Sequence, residues 1–245
     1  GDILWQFDHG SQGTAPAIGP DGTLFIGARG DRFFALDGKT GDTKWEIKLK
    51  GAATSPVIGA DGTVFIGLGG NRVVALGGLN GGIKWEFRMG QINPNEWISS
   101  LALGEDGTVF IGSADKKIYA LDGKTGAKKW EFATKNMVVA TPAIGKDGTV
   151  VVGSRDNNIY ALNGKTGEKK WVFDTYDDVY WAAAIGNDGT VYVGSSNRIF
   201  FALDGETGAK KWEHKMEEDH WKGSRAGRWT SPVIGTDGTV YVGTG

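Results

Sequence analysis

Apolar positions along this chain fall in short runs of about four residues separated by Gly-rich polar turns. No stretch keeps the three-to-four spacing of an amphipathic helix for as much as three turns. The segment from Ala140 to Phe173 shows the plan. Thr141-Pro142-Ala143-Ile144 precedes a turn at Asp147-Gly148, and Thr149-Val150-Val151-Val152 leads through a short loop to Ile159-Tyr160-Ala161-Leu162. A second turn then delivers Lys170-Trp171-Val172-Phe173. β-Branched and aromatic residues fill each run, and Asp-Gly or Asn-Gly marks both turns, where glycine tolerates the positive φ of a tight hairpin. Four short strands are predicted.

The plan repeats. Trp5, Trp45, Trp85, Trp130, Trp171 and Trp212 recur at steps of 40, 40, 45, 41 and 41 residues. Asp-Gly-Thr triplets at Asp21, Asp61, Asp106, Asp147, Asp188 and Asp237 keep nearly the same beat. Four strands per ~40 residues is the period of a propeller blade, so an all-β propeller is predicted. Full blades are expected over residues 14–47, 54–87, 99–132, 140–173 and 181–214. The segment Gly1-Asp2-Ile3-Leu4-Trp5-Gln6-Phe7 aligns with Gly41-Asp42-Thr43-Lys44-Trp45-Glu46-Ile47. A sixth, composite blade is therefore expected from residues 230–243 plus 1–7, giving one domain over 1–245 with about six four-stranded blades. That last blade, shared between the N- and C-termini, lacks a third strand in the pattern. A longer natural ring, or a chain excised from a larger protein, stays open.

The third-to-fourth-strand turn carries the most specific pattern. Ala120-Leu121-Asp122-Gly123-Lys124-Thr125-Gly126-Ala127-Lys128-Lys129-Trp130 recurs in kind from Ala35 to Trp45 and from Ala202 to Trp212. The copy from Ala161 to Trp171 has Asn163 for Asp, and that from Ala75 to Trp85 has Gly77 for Asp and Asn80 for Thr. Five tandem copies resemble the tryptophan-docking motif of the PQQ-like, quinoprotein-type propeller repeat. The resemblance implies that Trp45, Trp85, Trp130, Trp171 and Trp212 are structural, each docked between neighbouring blades. The side chains give the turn a job of its own: Asp or Asn accepts turn amides and Thr-Gly shapes the hairpin. The second copy, short of two polar groups, is the expected weak joint.

Composition agrees with a turn-rich repeat protein, with 41 Gly against 6 Pro in 245 residues. Lys plus Arg is 27 and Asp plus Glu is 29, a balance that gives no general reason to expect a nucleic-acid partner. Without cysteine there are no disulfides, thiolate metal sites or Cys nucleophiles. No apolar run approaches the ~20 residues of a membrane span, and the first residues lack the features of a signal peptide.

Topology sorts the loops. The repetitive Asp-Gly turns share one face, while the second-to-third-strand loops and the links between blades share the other, and there the repeat breaks down. The links are six or seven residues long after Phe7, Ile47, Phe132 and Phe173, but eleven after Phe87 and fifteen after His214. Loops on a rigid scaffold are where binding residues concentrate, so this irregular face is the candidate site. Its ligand-binding candidates are Trp97, Trp181, Trp229 and Tyr180 with Arg29, Arg155 and Arg228; Arg32, Arg72, Lys116 and Arg198 lie in equivalent loops. Aromatic rings with guanidinium groups suit a flat anionic ligand or a protein surface. Asn95, Glu96 and Asp178 offer oxygens to a Ca²⁺ ion, and His220 stands beside Glu218 and Asp219.

No Ser-His-Asp grouping, phosphate loop or metal-ligand spacing appears, so no catalytic residue is assigned. The resemblance implies a non-enzymatic PQQ-like repeat propeller, of the outer-membrane assembly lipoprotein kind, acting as a binding scaffold for a protein partner or small ligand in a periplasmic or extracellular setting. No cofactor is then expected. The alternatives are a PQQ- and Ca²⁺-dependent dehydrogenase of alcohols or sugars, and an engineered or excised propeller with no function of its own. An incomplete last blade also predicts an exposed edge open to self-association.

Overall fold

The computed structural model describes residues 3–10, 13–28, 30–90, 98–216 and 230–243. Among them, secondary structure consists of strands, turns and bends, and no helix is long and apolar enough to cross a membrane. The chain divides into two compact units, residues 1–110 with 121–128 and residues 111–120 with 129–245.

In the first unit, β1 (Ala17–Ile18), β2 (Thr23–Ala28), β3 (Arg32–Asp37) and β4 (Thr43–Lys48) form one antiparallel sheet in chain order. The strands β5 (Val57–Ile58), β6 (Thr63–Leu68), β7 (Arg72–Gly77) and β8 (Ile83–Arg88) form the next. The third repeat supplies β9 (Ala102–Leu103), β10 (Thr108–Gly112), β11 (Lys117–Asp122) and β12 (Lys128–Ala133), with β9 antiparallel to β10. In the second unit, β13 (Ala143–Ile144), β14 (Thr149–Gly153), β15 (Asn158–Asn163) and β16 (Lys169–Asp174) make a sheet, as do β17 (Ala184–Ile185), β18 (Val191–Gly194), β19 (Ile199–Leu203) and β20 (Lys210–Lys215). Two short strands, β21 (Val233–Ile234) and β22 (Val240–Tyr241), pair with each other. Residues 3–7 form no strand.

Burial follows strand position. The second strands are buried nearly end to end, as in β6, β10 and β14, because apolar neighbours cover both faces. The fourth strands alternate: in β8 and β16 the Trp is buried and the flanking Lys and Glu or Val are exposed. Thus Phe25, Phe33, Val64, Ile66 and Leu76 build a core in the first unit, and Val151, Ile159, Val193, Phe201 and Leu203 one in the second.

A β-bulge recurs at one position. In β4, Trp45 pairs with Ala35 but Thr43 pairs with Leu36, leaving Lys44 as the extra residue; Lys84, Lys170 and Lys211 occupy the same place in β8, β16 and β20. A bulge re-aims a side chain. Here it turns each lysine back onto the Asp-Gly-Thr turn of its own sheet, where Nζ donates to the hydroxyl of Thr23, Thr63, Thr149 or Thr190. That hydroxyl donates in turn to the Asp, at 2.6 Å for Thr149 to Asp147.

These turns predict an acid-labile fold. The Thr149 hydroxyl, then its amide and Lys170, hold Asp147 at a pKa of about 2; the equivalent Thr and Lys contacts lower Asp21, Asp61 and Asp188 below the usual 3.8, and the Thr239 amide and hydroxyl lower Asp237. A carboxylate whose folded pKa is depressed contributes stability that is present above its unfolded pKa and lost as pH falls through the folded value. The thermal midpoint is therefore expected to stay level down to about pH 5 and to fall between about pH 4 and pH 2, more shallowly in an Asp147→Asn variant. Differential scanning fluorimetry across that range checks it, and a midpoint that declines equally in both proteins would refute the role of this turn.

Candidate functional site

The docking turns come first, because they decide which residues are left for binding. The carboxylate of Asp37 accepts the amides of Lys39 and Thr40 at 2.9 and 3.1 Å, and Asp122, Asn163 and Asp204 do the same in their own turns. The glycine after each of these positions, and Gly78 after Gly77 in the second repeat, offers its carbonyl as an acceptor. There the tryptophan of the preceding repeat is received: Trp45 Nε1 donates to Gly78 O, Trp85 to Gly123, Trp130 to Gly164 and Trp171 to Gly205, at 2.8–2.9 Å. Trp5 makes the same bond to Gly38 at 3.2 Å. Each indole also lies flat on the second glycine of the turn. Gly208, at φ +76°, would place a Cβ 2.8 Å from the Trp171 ring.

The expected weak joint is partly repaired. At Gly77 an added Cβ would lie 2.8 Å from Asn80 Oδ1, so the Asn80 amide occupies the space that Asp fills in the other turns. Its oxygen accepts the Gly82 amide at 3.0 Å, replacing the Thr hydroxyl of the other turns, and Trp45 still bonds Gly78. The two departures compensate each other. Trp212 differs more: its side chain is 45% exposed, against 7–9% for Trp85, Trp130 and Trp171.

On the irregular face, the second-to-third-strand loops share an internal frame. Ser154 Oγ donates toward the carbonyls of Asn136 and Met137 at 3.2–3.3 Å and accepts the Asp156 amide, while Tyr160 OH donates to Asp156 Oδ2 at 2.8 Å. Burial and the Asp156 carboxylate push the Tyr160 phenol well above its ordinary value. Ser195 repeats the anchor on Thr175 and Asp177. One non-glycine residue per loop, Asp31, Asn71, Lys116, Asn157 or Arg198, takes a positive φ, and its carbonyl accepts the amide just beyond the fourth strand. The loops are hydrogen-bonded platforms.

On one platform, four predicted residues meet. Arg155 Nε donates to Asp178 Oδ2 at 3.2 Å, and Tyr180 OH donates to the same oxygen at 2.8 Å. The guanidinium sits 5.2 Å from the Tyr180 ring centroid, and Tyr180 meets Trp181 edge to face at 5.8 Å. Burial, then the bond to Asp178, raises the Tyr180 pKa, so the phenol stays protonated. Tyr176 stands 73% exposed on the same link with φ +66°, and Met137 contacts Arg155. Tyr176 belongs to the aromatic and acidic link from Tyr176 to Trp181 that stands out in the sequence, whereas Met137 was not legible there, since a Met in a short link carries no period. Elsewhere, Arg32 pairs with Glu46 at 2.7 Å and Arg72 with Glu86 at 3.3 Å, each within its own sheet. Trp97, Trp229, Arg29, Arg228, Asn95, Glu96 and His220 lie outside the described residues. Among the described residues, no three His, Cys, Asp or Glu side chains converge as a metal site.

Four-stranded antiparallel blades locked by tryptophan-to-turn docking define a β-propeller of the PQQ-like repeat class. The chain belongs to the family described as outer membrane protein assembly factor BamB, whose model matches residues 1–103 and again residues 91–245. A crystal structure of BamB from Moraxella catarrhalis aligns with a TM-score of 0.82 at 23% identity, over 99% of this chain and 74% of that one. At that identity the likeness is one of fold. Among curated proteins, no relative matches the sequence. As many as 1447 chains of known structure match, so the fold by itself names no activity.

Proposed function

We propose that this propeller is a non-enzymatic scaffold that binds a protein partner through its irregular loop face, in an extracytoplasmic setting. The observation that carries the reading is the Arg155–Asp178–Tyr180–Trp181 cluster. Its charges are already matched to one another, while aromatic surface at Tyr176 and Tyr180 stays exposed beside it. Such a surface suits a protein interface, where rigid aromatics supply contact area at little entropic cost. It suits a cofactor less well. Asp178 Oδ2 already takes two donors, and Arg155 is held by Asp178 rather than turned to an anion. Membership in a family named for outer-membrane assembly rather than for a dehydrogenase supports the same choice.

A photo-crosslinking residue at position 176 tests it in the producing cell, with one at position 165 on the turn face as control. A discrete adduct is expected from 176 and not from 165. Combining Tyr180→Ala with Trp181→Ala should abolish that adduct and weaken the purified partner by about 2 kcal/mol, roughly 30-fold in Kd. Adducts of equal yield from both positions would end the reading. The dehydrogenase alternative has its own measurement: titration with PQQ and Ca²⁺ is expected to leave tryptophan emission unchanged, and saturable Ca²⁺-dependent quenching would favour the enzyme.

A further inference from the structure

In each four-stranded sheet the fourth strand is an edge, with backbone donors and acceptors along its outer side. Charge blunts such an edge, and here it follows the tryptophan, as Glu46, Glu86, Glu131 and Glu213 in β4, β8, β12 and β20. Three of these pair within their own sheets, Glu46 with Arg32, Glu86 with Arg72 and Glu131 with Lys117. The fourth repeat breaks the pattern at both positions. Val172 stands in place of the Glu and Asn158 in place of the Arg or Lys, and Val172 is 43% exposed. The end of the strand changes as well, with Asp174 where β4, β8 and β20 close on Lys48, Arg88 and Lys215.

Register puts the altered residues on one face. Lys169 pairs with Leu162, Val172 with Tyr160 and Asp174 with Asn158, which are alternate residues of β15. The bulge at Lys170 thus brings Lys169 to the same side as Val172 and Asp174, and all three are exposed. A two-fold interface must be self-complementary, and this edge is. With a second copy laid antiparallel along β16 and the axis at Val172, each Val172 faces the other, and each Asp174 lies beside the other copy's Lys169. The same arrangement at β4, β8 or β20 would set Glu46, Glu86 or Glu213 against itself, and like charges directly opposite are destabilising. At β20 it would also bring Lys210 beside Lys215.

We propose that the edge of β16 is a homodimer interface, at which two copies of this chain join their fourth sheets into one antiparallel sheet. Main-chain hydrogen bonds between the two edges supply the affinity. The Val172 contact and the two Lys169–Asp174 pairs set the register and select this strand over the other fourth strands. A single strand pair buries little surface, so the dimer is a weak one, with a Kd on the order of 100 µM. Antiparallel pairing turns the irregular faces of the two copies to opposite ends. The dimer therefore leaves both faces open and stands apart from whether they bind a protein.

Sedimentation velocity of the 245-residue chain from micromolar to millimolar concentration should show a reversible monomer–dimer equilibrium. Val172→Glu installs the residue that β4, β8, β12 and β20 already carry, so the fold should tolerate it, and it should weaken the dimer at least about tenfold. Asp174→Lys should weaken it by a similar factor. Adding Lys169→Asp to Asp174→Lys reverses both charges and should restore the dimer, which repair of a merely damaged strand would not explain. The chain has no cysteine, so Val172→Cys supplies a single thiol at the axis. Mild oxidation should cross-link it to a covalent dimer and leave Glu213→Cys monomeric. A monomer at every concentration, a dimer indifferent to Val172→Glu, a charge reversal that fails to restore it, or equal cross-linking at both positions would each overturn the proposal.

Discussion

Replacing Trp171 by alanine is expected to cost about 3–5 kcal/mol of stability, the range for deleting a buried aromatic side chain. The ring is 7% exposed and packs among Val151, Ala161, Val179, Val191 and Leu203. An indole buries roughly 150–250 Å² on its own. Its loss also leaves Gly205 O without the donor that now reaches it at 2.8 Å. Trp212→Ala is the internal control. That ring keeps contact with Tyr192 and Phe200 but is 45% exposed, so its removal should cost roughly half as much or less. Urea unfolding followed by far-UV circular dichroism compares the two, and equal losses would show that neither the deeper burial nor the docking bond of Trp171 adds to stability.

Gly208→Val is expected to be nearly as damaging, through two separate costs. A left-handed φ of +76° disfavours any residue with a Cβ by roughly 1–2 kcal/mol. Overpacking against the Trp171 ring, 2.8 Å from the new Cβ, adds about 1–3 kcal/mol. Gly189 separates the two, because its φ is +79° and nothing lies within 4 Å of its Cβ position. Gly189→Ala should therefore show the conformational cost alone. Denaturation midpoints of the two variants, measured in parallel, decide whether the second glycine of the docking motif is required by the indole or only by the turn.

The repeat was legible because its signals are local. An Asp-Gly pair fixes a turn within three residues, and alternation fixes which face of a strand is covered, so strand boundaries near Thr149, Asn158 and Lys169 follow from the residues themselves. The bulge at Lys44, Lys84, Lys170 and Lys211 was hidden, because a Lys before Trp reads as an exposed fourth-strand residue. Only the paired register shows that it points back to the turn. The compensation between Gly77 and Asn80 was hidden for the same reason, since each departure alone reads as a loss.

The candidate site was half legible. Tyr180, Trp181, Arg155 and Asp178 could be named from a break in the repeat, but their mutual pairing could not, because Arg155 and Asp178 belong to different loops joined only through folding. That pairing changes their meaning, from separate charges waiting for an anion or a cation to a matched frame beneath exposed aromatics.

By itself the sequence determined the strand order, the turn chemistry and the face on which the repeat fails, since these depend on residues within a few positions of one another. Tertiary structure decided which carbonyl each tryptophan meets and which charges cancel. Those outcomes rest on contacts between segments some 20 to 40 residues apart, where close packing and directional hydrogen bonds select one partner among several that composition would allow.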